Sequence, residues 1–140
     1  RQFILEEGKE NCLVIHTTLL PYINAAGEMK TKPTQHSVMR LREIGLEPNF
    51  LVCRTEENHH LTTKLKQKLG LFCNVETEHV FESPDVDTIY EIPLVLNQQN
   101  FDDAILRRLN LKISIIYLII HISIYGPDLL GQKIVKQHTQ

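Results

Sequence analysis

Two short, unbroken apolar runs constrain this chain more than any other feature. Cys12-Leu13-Val14-Ile15-His16 is the first and Phe50-Leu51-Val52-Cys53 the second. Neither alternates, so each reads as a strand covered on both faces, as in a parallel sheet. Between them Val38, Leu41 and Ile44 recur at helical spacing and Gly45 ends the pattern. Strand, helix, strand implies a right-handed parallel crossover. Val80-Phe81 is a third, shorter strand candidate. Leu61, Leu65, Leu69 and Phe72 mark a helix before it, studded with Lys64, Lys66 and Lys68. Ser83-Pro84-Asp85 is a turn. Helices are expected from Ile89 to Leu96, with Pro93 in the first turn, and from Asp102 to Leu109. Arg1 to Gly8 reads as the tail of a further helix. The expected fold is α/β, a partial open parallel sheet with helices on both faces, Rossmann-like and three-layered.

In such a sheet the loops leaving the C-terminal strand ends share one edge, and ligands bind there. The first of these loops contains Glu28-Met29-Lys30-Thr31-Lys32-Pro33-Thr34-Gln35-His36-Ser37, just ahead of a helix. Pro33 biases Lys32 toward an extended backbone, and Thr34 or Ser37 is placed to cap the helix. Two ammonium groups beside a helix N-terminus suit a phosphate chain. They equally suit a solvated polar loop. Arg54 follows the second strand, and Glu82 to Asp87 follow the third.

The 140 residues suffice for one domain, and their formal charge of −2 argues against a surface that coats nucleic acid. The run Ile113 to Tyr125 is interrupted by Ser114, His121 and Ser123 and falls short of the ~20 residues of a membrane span. Cys12, Cys53 and Cys73 form no close-spaced framework, which suggests a reducing compartment with buried core thiols. No secretory leader is recognisable, so a cytoplasmic location is expected.

Several stretches together resemble one family. Lys30-Thr31-Lys32-Pro33-Thr34-Gln35-His36-Ser37 resembles a signature loop of the synthetase (amidoligase) domain of CTP synthase. The resemblance extends to His16-Thr17-Thr18-Leu19-Leu20-Pro21-Tyr22, Ala25-Ala26-Gly27-Glu28, Val52-Cys53-Arg54, Leu71-Phe72-Cys73-Asn74-Val75 and Ser83-Pro84-Asp85-Val86-Asp87-Thr88-Ile89-Tyr90. It spans residues 1–111 in unbroken order; residues 112–140 form a divergent tail.

The resemblance implies ATP-dependent amination of UTP to CTP, with ammonia drawn from glutamine. It implies that Lys30, Thr31, Lys32, Pro33, Thr34, Gln35 and Lys68 hold UTP, or CTP as feedback inhibitor, across a subunit interface of a homotetramer. Arg54, Pro84, Asp85 and Val86 are implied around ATP. The family also uses Mg2+, but its metal ligands, its glycine-rich phosphate loop and its glutaminase domain match nothing in these residues. No catalytic or metal-binding residue is therefore assigned. The chain is expected to be the second half of a synthetase domain and inactive alone, and the alternative is a non-catalytic remnant that binds UTP or CTP or pairs with a complete subunit.

Simpler readings stand beside these. Lys68 is one lysine among three on its helix, and Arg54 is placed to pair with Asp85 or Asp87. His16 reads as a satisfied core histidine and His36 as a neighbour of the cap. His59-His60 lacks further ligands at metal spacing.

Overall fold

The computed structural model describes residues 1–112, and residues 1–109 make one compact unit. Of the tail expected to diverge, residues 112–140, all but Lys112 lie outside the described residues. The elements are α1 (Gln2–Glu7), β1 (Ile15–Leu19), β2 (Tyr22–Ile23), β3 (Glu28–Met29), α2 (Lys32–Glu43), β4 (Phe50–Thr55), α3 (Thr63–Cys73), β5 (Val80–Pro84), α4 (Ile92–Gln98) and α5 (Phe101–Arg108). Strands β1, β4 and β5 form a parallel sheet in that order, with β4 in the centre. The expected α/β class is what the fold shows.

Strand β4 explains why its sequence is unbroken apolar. Its side chains alternate between two cores, as a period of two requires. Leu51 and Cys53 enter one, with Val38 of α2, Leu69 and Cys73 of α3, and Val80 of β5. Phe50 and Val52 enter the other, with Phe81 of β5 and Ala104 of α5, flanked by Leu96 and Phe101. Helices therefore cover both faces of the central strand, α2 and α3 on one, α4 and α5 on the other. The edge strand β1 is covered on one face only, with Ile15, Thr17 and Leu19 exposed, so its apolar run is not doubly covered as expected.

The starts of two elements differ from the expected ones. Strand β1 begins at Ile15, so Cys12 to Val14 precede it, although Val14 is held by the Asn49 side chain at 2.8 Å. Helix α2 begins at Lys32, not Ser37, with Pro33 inside its first turn. The missing N–H of proline costs nothing there, and its fixed φ suits a helix start, which outweighs the pre-proline bias on Lys32. Neither Thr34 nor Ser37 is a cap; both lie within the helix, and their hydroxyls serve β1 instead. The short hairpin β2–β3 was not expected. It turns through Gly27 at φ +63, a left-handed conformation that glycine adopts without strain.

Helix α3 lies against the Val75–Thr77 segment, with Gly70 facing it. A Cβ on Gly70 would sit 2.6 Å from the Val75 carbonyl oxygen, so a larger residue is excluded there. All three cysteines are free and buried. Burial pushes the Cys53 thiol up to about 12, with the Cys73 sulfur adding to the shift, so this thiol stays protonated and inert.

Candidate functional site

The C-terminal edge of the sheet gathers most of the residues singled out from the sequence. Strand β1 exits at Leu19, in register with Arg54, and β4 ends at Thr55, in register with Pro84. The Leu20 N–H donates to the Arg54 carbonyl at 2.9 Å, which ties the two exits together. From there the chain makes the β2–β3 hairpin and enters α2. The Lys30 N–H donates to the Pro21 carbonyl at 2.9 Å, closing the hairpin against its own entry.

The first expected set, Lys30 to Gln35, sits on this hairpin end and the first turn of α2. Thr31 and Thr34 are buried. Thr34 Oγ1 lies 3.2 Å from Thr18 Oγ1, and Gln35 Nε2 donates to Thr31 Oγ1 at 3.1 Å. His16 Nε2 lies 2.8 Å from Ser37 Oγ. These polar contacts lock α2 onto β1 and leave Lys30 half-buried and Lys32 and Pro33 exposed. The start of α2 offers unpaired backbone N–H groups and the positive end of its dipole.

Lys68 lies 36 residues beyond Lys32 in sequence, exposed on α3. Helices α2 and α3 pack side by side, and the Arg42 guanidinium of α2 donates to the Cys73 carbonyl of α3. That packing brings Lys68 within electrostatic reach of Glu28. The Glu28 carboxyl is held below its usual range, chiefly by the hydrogen bond and charge of Lys30 and further by Lys68. Lys30 and Lys68 thus share one neighbourhood, centred on a glutamate.

The second expected set lies at the ends of β4 and β5. Arg54 Nε donates to Asp85 Oδ1 at 2.8 Å, and the Asp85 N–H donates to the Thr55 carbonyl at 3.0 Å. The simpler reading of Arg54 as a partner of Asp85 is what the geometry gives, and it leaves the guanidinium exposed at the edge. Pro84 and Val86 flank this pair, half-buried.

Two features were missed from the sequence. Glu82 is a junction: its Oε1 accepts from Thr55 Oγ1 at 2.8 Å and the Leu61 N–H at 3.0 Å, with His60 Nδ1 at 3.3 Å. It fixes the segment between β4 and α3. Tyr22 and His59 stack, with ring centroids 3.6 Å apart and 7° between planes, joining the hairpin to that same segment. His59 and His60 therefore serve different partners, as adjacent residues should. No motif signals either contact. At the strand ends Glu82 Oε1 meets Thr55, Leu61 and His60, and Asp85 Oδ1 meets Arg54.

His16 gives the latch between β1 and α2 a pH dependence. Burial holds its imidazole below the ordinary 6.5, so the unfolded chain binds this proton more readily than the folded one. Its contribution is complete above about pH 6.5 and is lost as the pH falls from there toward the folded value. Urea unfolding at pH 7.5 and pH 5.5 is expected to show a shallower acid loss in His16→Asn than in the parent. Equal losses would mean that other groups carry the dependence.

Among the described residues no helix is long and apolar enough to cross a membrane. Residues 1–111 match the family model for the CTP synthase N-terminus. The chain is 54% identical over 112 residues to CTP synthases of Staphylococcus aureus strains JH9 and Newman. Those matches cover 80% of this chain and 20% of each relative, so the chain spans about a fifth of the relatives' length.

Proposed function

Because the chain belongs to the CTP synthase family, we propose that it contributes the nucleotide-holding edge of a ligase that aminates UTP to CTP at the expense of ATP, with ammonia from glutamine, in pyrimidine biosynthesis. The observation that carries this reading is the grouping of Lys30 and Lys68 about Glu28, beside the first turn of α2. A triphosphate needs several cations and backbone N–H donors in one place, and this is where the chain offers them.

In this reading Lys30, Lys32 and Lys68 neutralise the triphosphate of UTP or CTP. Thr31 and Gln35 hold the helix start in shape through their mutual hydrogen bond, and buried Thr34 keeps that turn against β1. Arg54 with Pro84, Asp85 and Val86 borders ATP at the neighbouring strand ends. The Arg54–Asp85 pair keeps the guanidinium at the edge instead of free in solvent. Mg2+ would assist the phosphoryl transfer, and no residue of this chain is assigned as its ligand. A tetramer that places the lysines against a neighbouring subunit, in the cytoplasm, completes the proposal.

Thermal unfolding of the 140-residue chain with and without UTP or CTP tests it. Ligand at roughly 100 times its dissociation constant adds about 2.7 kcal/mol to a folded binder. The midpoint is expected to rise with either nucleotide in the parent. A cooperative melt that ignores both nucleotides at millimolar concentration would overturn the reading for this chain.

A further inference from the structure

We infer that Glu28 is a built-in competitor for the lysine cluster: its carboxylate holds the Lys30 ammonium in the unliganded chain and has to release it when a polyphosphate arrives. The inference rests on the lysine-site reading above and adds a residue that limits affinity.

Four observations carry it. Glu28 lies on β3 and Lys30 follows that strand directly, and the Lys30 ammonium donates to the Glu28 carboxylate. Both backbones are fixed: Glu28 pairs with Ile23 across the hairpin, and the Lys30 N–H is bonded to the Pro21 carbonyl. The pair is therefore set by the hairpin and is not a chance meeting of two free side chains. The partners are also unequally covered. Glu28 is 62% exposed and Lys30 40%, so the carboxylate is the outer, displaceable member and the ammonium the inner one. Lys68, on the neighbouring helix, acts on the same carboxylate.

A polyphosphate carries several negative charges and can replace this carboxylate on the lysines. It cannot remove it, because Glu28 stays anchored on β3 and repels the incoming anion. The negative charge therefore weakens binding twice, by occupying Lys30 and by repulsion. Neutralising it should tighten binding, and the gain should depend on Lys30.

The test is calorimetric titration of the full 140-residue chain with inorganic triphosphate and with UTP at low ionic strength. The proteins are the parent, Glu28→Gln, Lys30→Ala and the double variant. Glu28→Gln is expected to bind both ligands about three- to tenfold more tightly, the size set by one exposed ion pair and its repulsion. In the Lys30→Ala background the same change is expected to give a smaller gain, the mark of two coupled residues. Glu28→Thr, neutral and suited to a strand, provides a second variant should the glutamine form fold poorly, and is expected to tighten binding too. Unchanged or weaker binding in the folded neutral variants, with binding still lost in Lys30→Ala, would overturn the competitor role and leave the lysine site standing. No binding of either ligand by any of the proteins would overturn both.

Discussion

Phe50→Ala is expected to destabilise the chain by about 3–5 kcal/mol, the usual cost of removing a fully buried phenylalanine. Phe50 is 0% exposed and stands on the central strand. Its ring meets Phe81 edge-on at 5.6 Å, Phe101 at 6.0 Å and His79 at 4.6 Å. The core on that face has few other large members: Val52 and Ala104 are small, and Leu96, Phe101 and Ile105 are only partly buried. No neighbour can swing in to fill the space, because Phe81 and Phe101 already pack against each other at 4.8 Å. The cavity therefore persists, and its cost adds to the lost transfer energy. Since a domain of this size is stable by only about 5–15 kcal/mol, the variant gives up a large share of the total. Leu71→Ala is the contrast, since Leu71 is 79% exposed on α3, and a change within about 0.5 kcal/mol is expected there. Urea unfolding of both variants is the measurement. A loss below about 1 kcal/mol for Phe50→Ala would mean that α4 and α5 close onto the sheet without it.

The same strand shows what the sequence makes legible. Phe50 to Cys53 reads as doubly covered because no polar residue interrupts it, and the alternating assignment to two cores follows once helices lie on both sides. The β2–β3 hairpin was illegible for the opposite reason. Its strands are two residues each, too short for any period, and only Gly27 marks the turn. The start of α2 was misplaced because its apolar stripe becomes visible only at Val38, the seventh of its 12 residues. Polar Thr34 and Ser37 looked like caps, yet each hydroxyl has a partner on β1 some 16 to 21 residues away.

The candidate site divides in the same way. Lys30 to Gln35 stand out as a contiguous motif, and Arg54 and Asp85 by their places after strands. Lys68 cannot be told from Lys64 and Lys66 without a family pattern, because its position beside Glu28 comes from the packing of α2 on α3. Glu82 was missed since its donors come from Thr55, His60 and Leu61, 21 to 27 residues earlier, and no local spacing announces such a junction.

Joint replacement of Lys30 and Lys68 by alanine is expected to weaken UTP and CTP binding by more than 100-fold. Each ammonium that meets a phosphate oxygen makes a charge-assisted hydrogen bond worth about 1.5–3 kcal/mol, or roughly 10- to 100-fold in affinity. The two lysines approach from different elements, the end of β3 and the middle of α3, so removing one does not reposition the other. Their losses should therefore combine nearly additively unless both grip the same oxygen. Neither supports the core: Lys68 is exposed, and among the described residues the Lys30 ammonium pairs with surface Glu28. The melting midpoint without ligand is expected to stay near that of the parent, which separates lost binding from lost folding. Raising the salt concentration should weaken the parent's binding far more than the double variant's residual binding, as expected when exposed charges carry the affinity. Arg54→Ala provides the spatial control, because it belongs to the Asp85 pair at the β4–β5 ends and should leave UTP affinity within about threefold. Retention of parental UTP affinity by the lysine double variant would remove these side chains from the nucleotide site. A loss equal in Arg54→Ala would instead mean that the two strand-end groups form one pocket, with a single ligand spanning both.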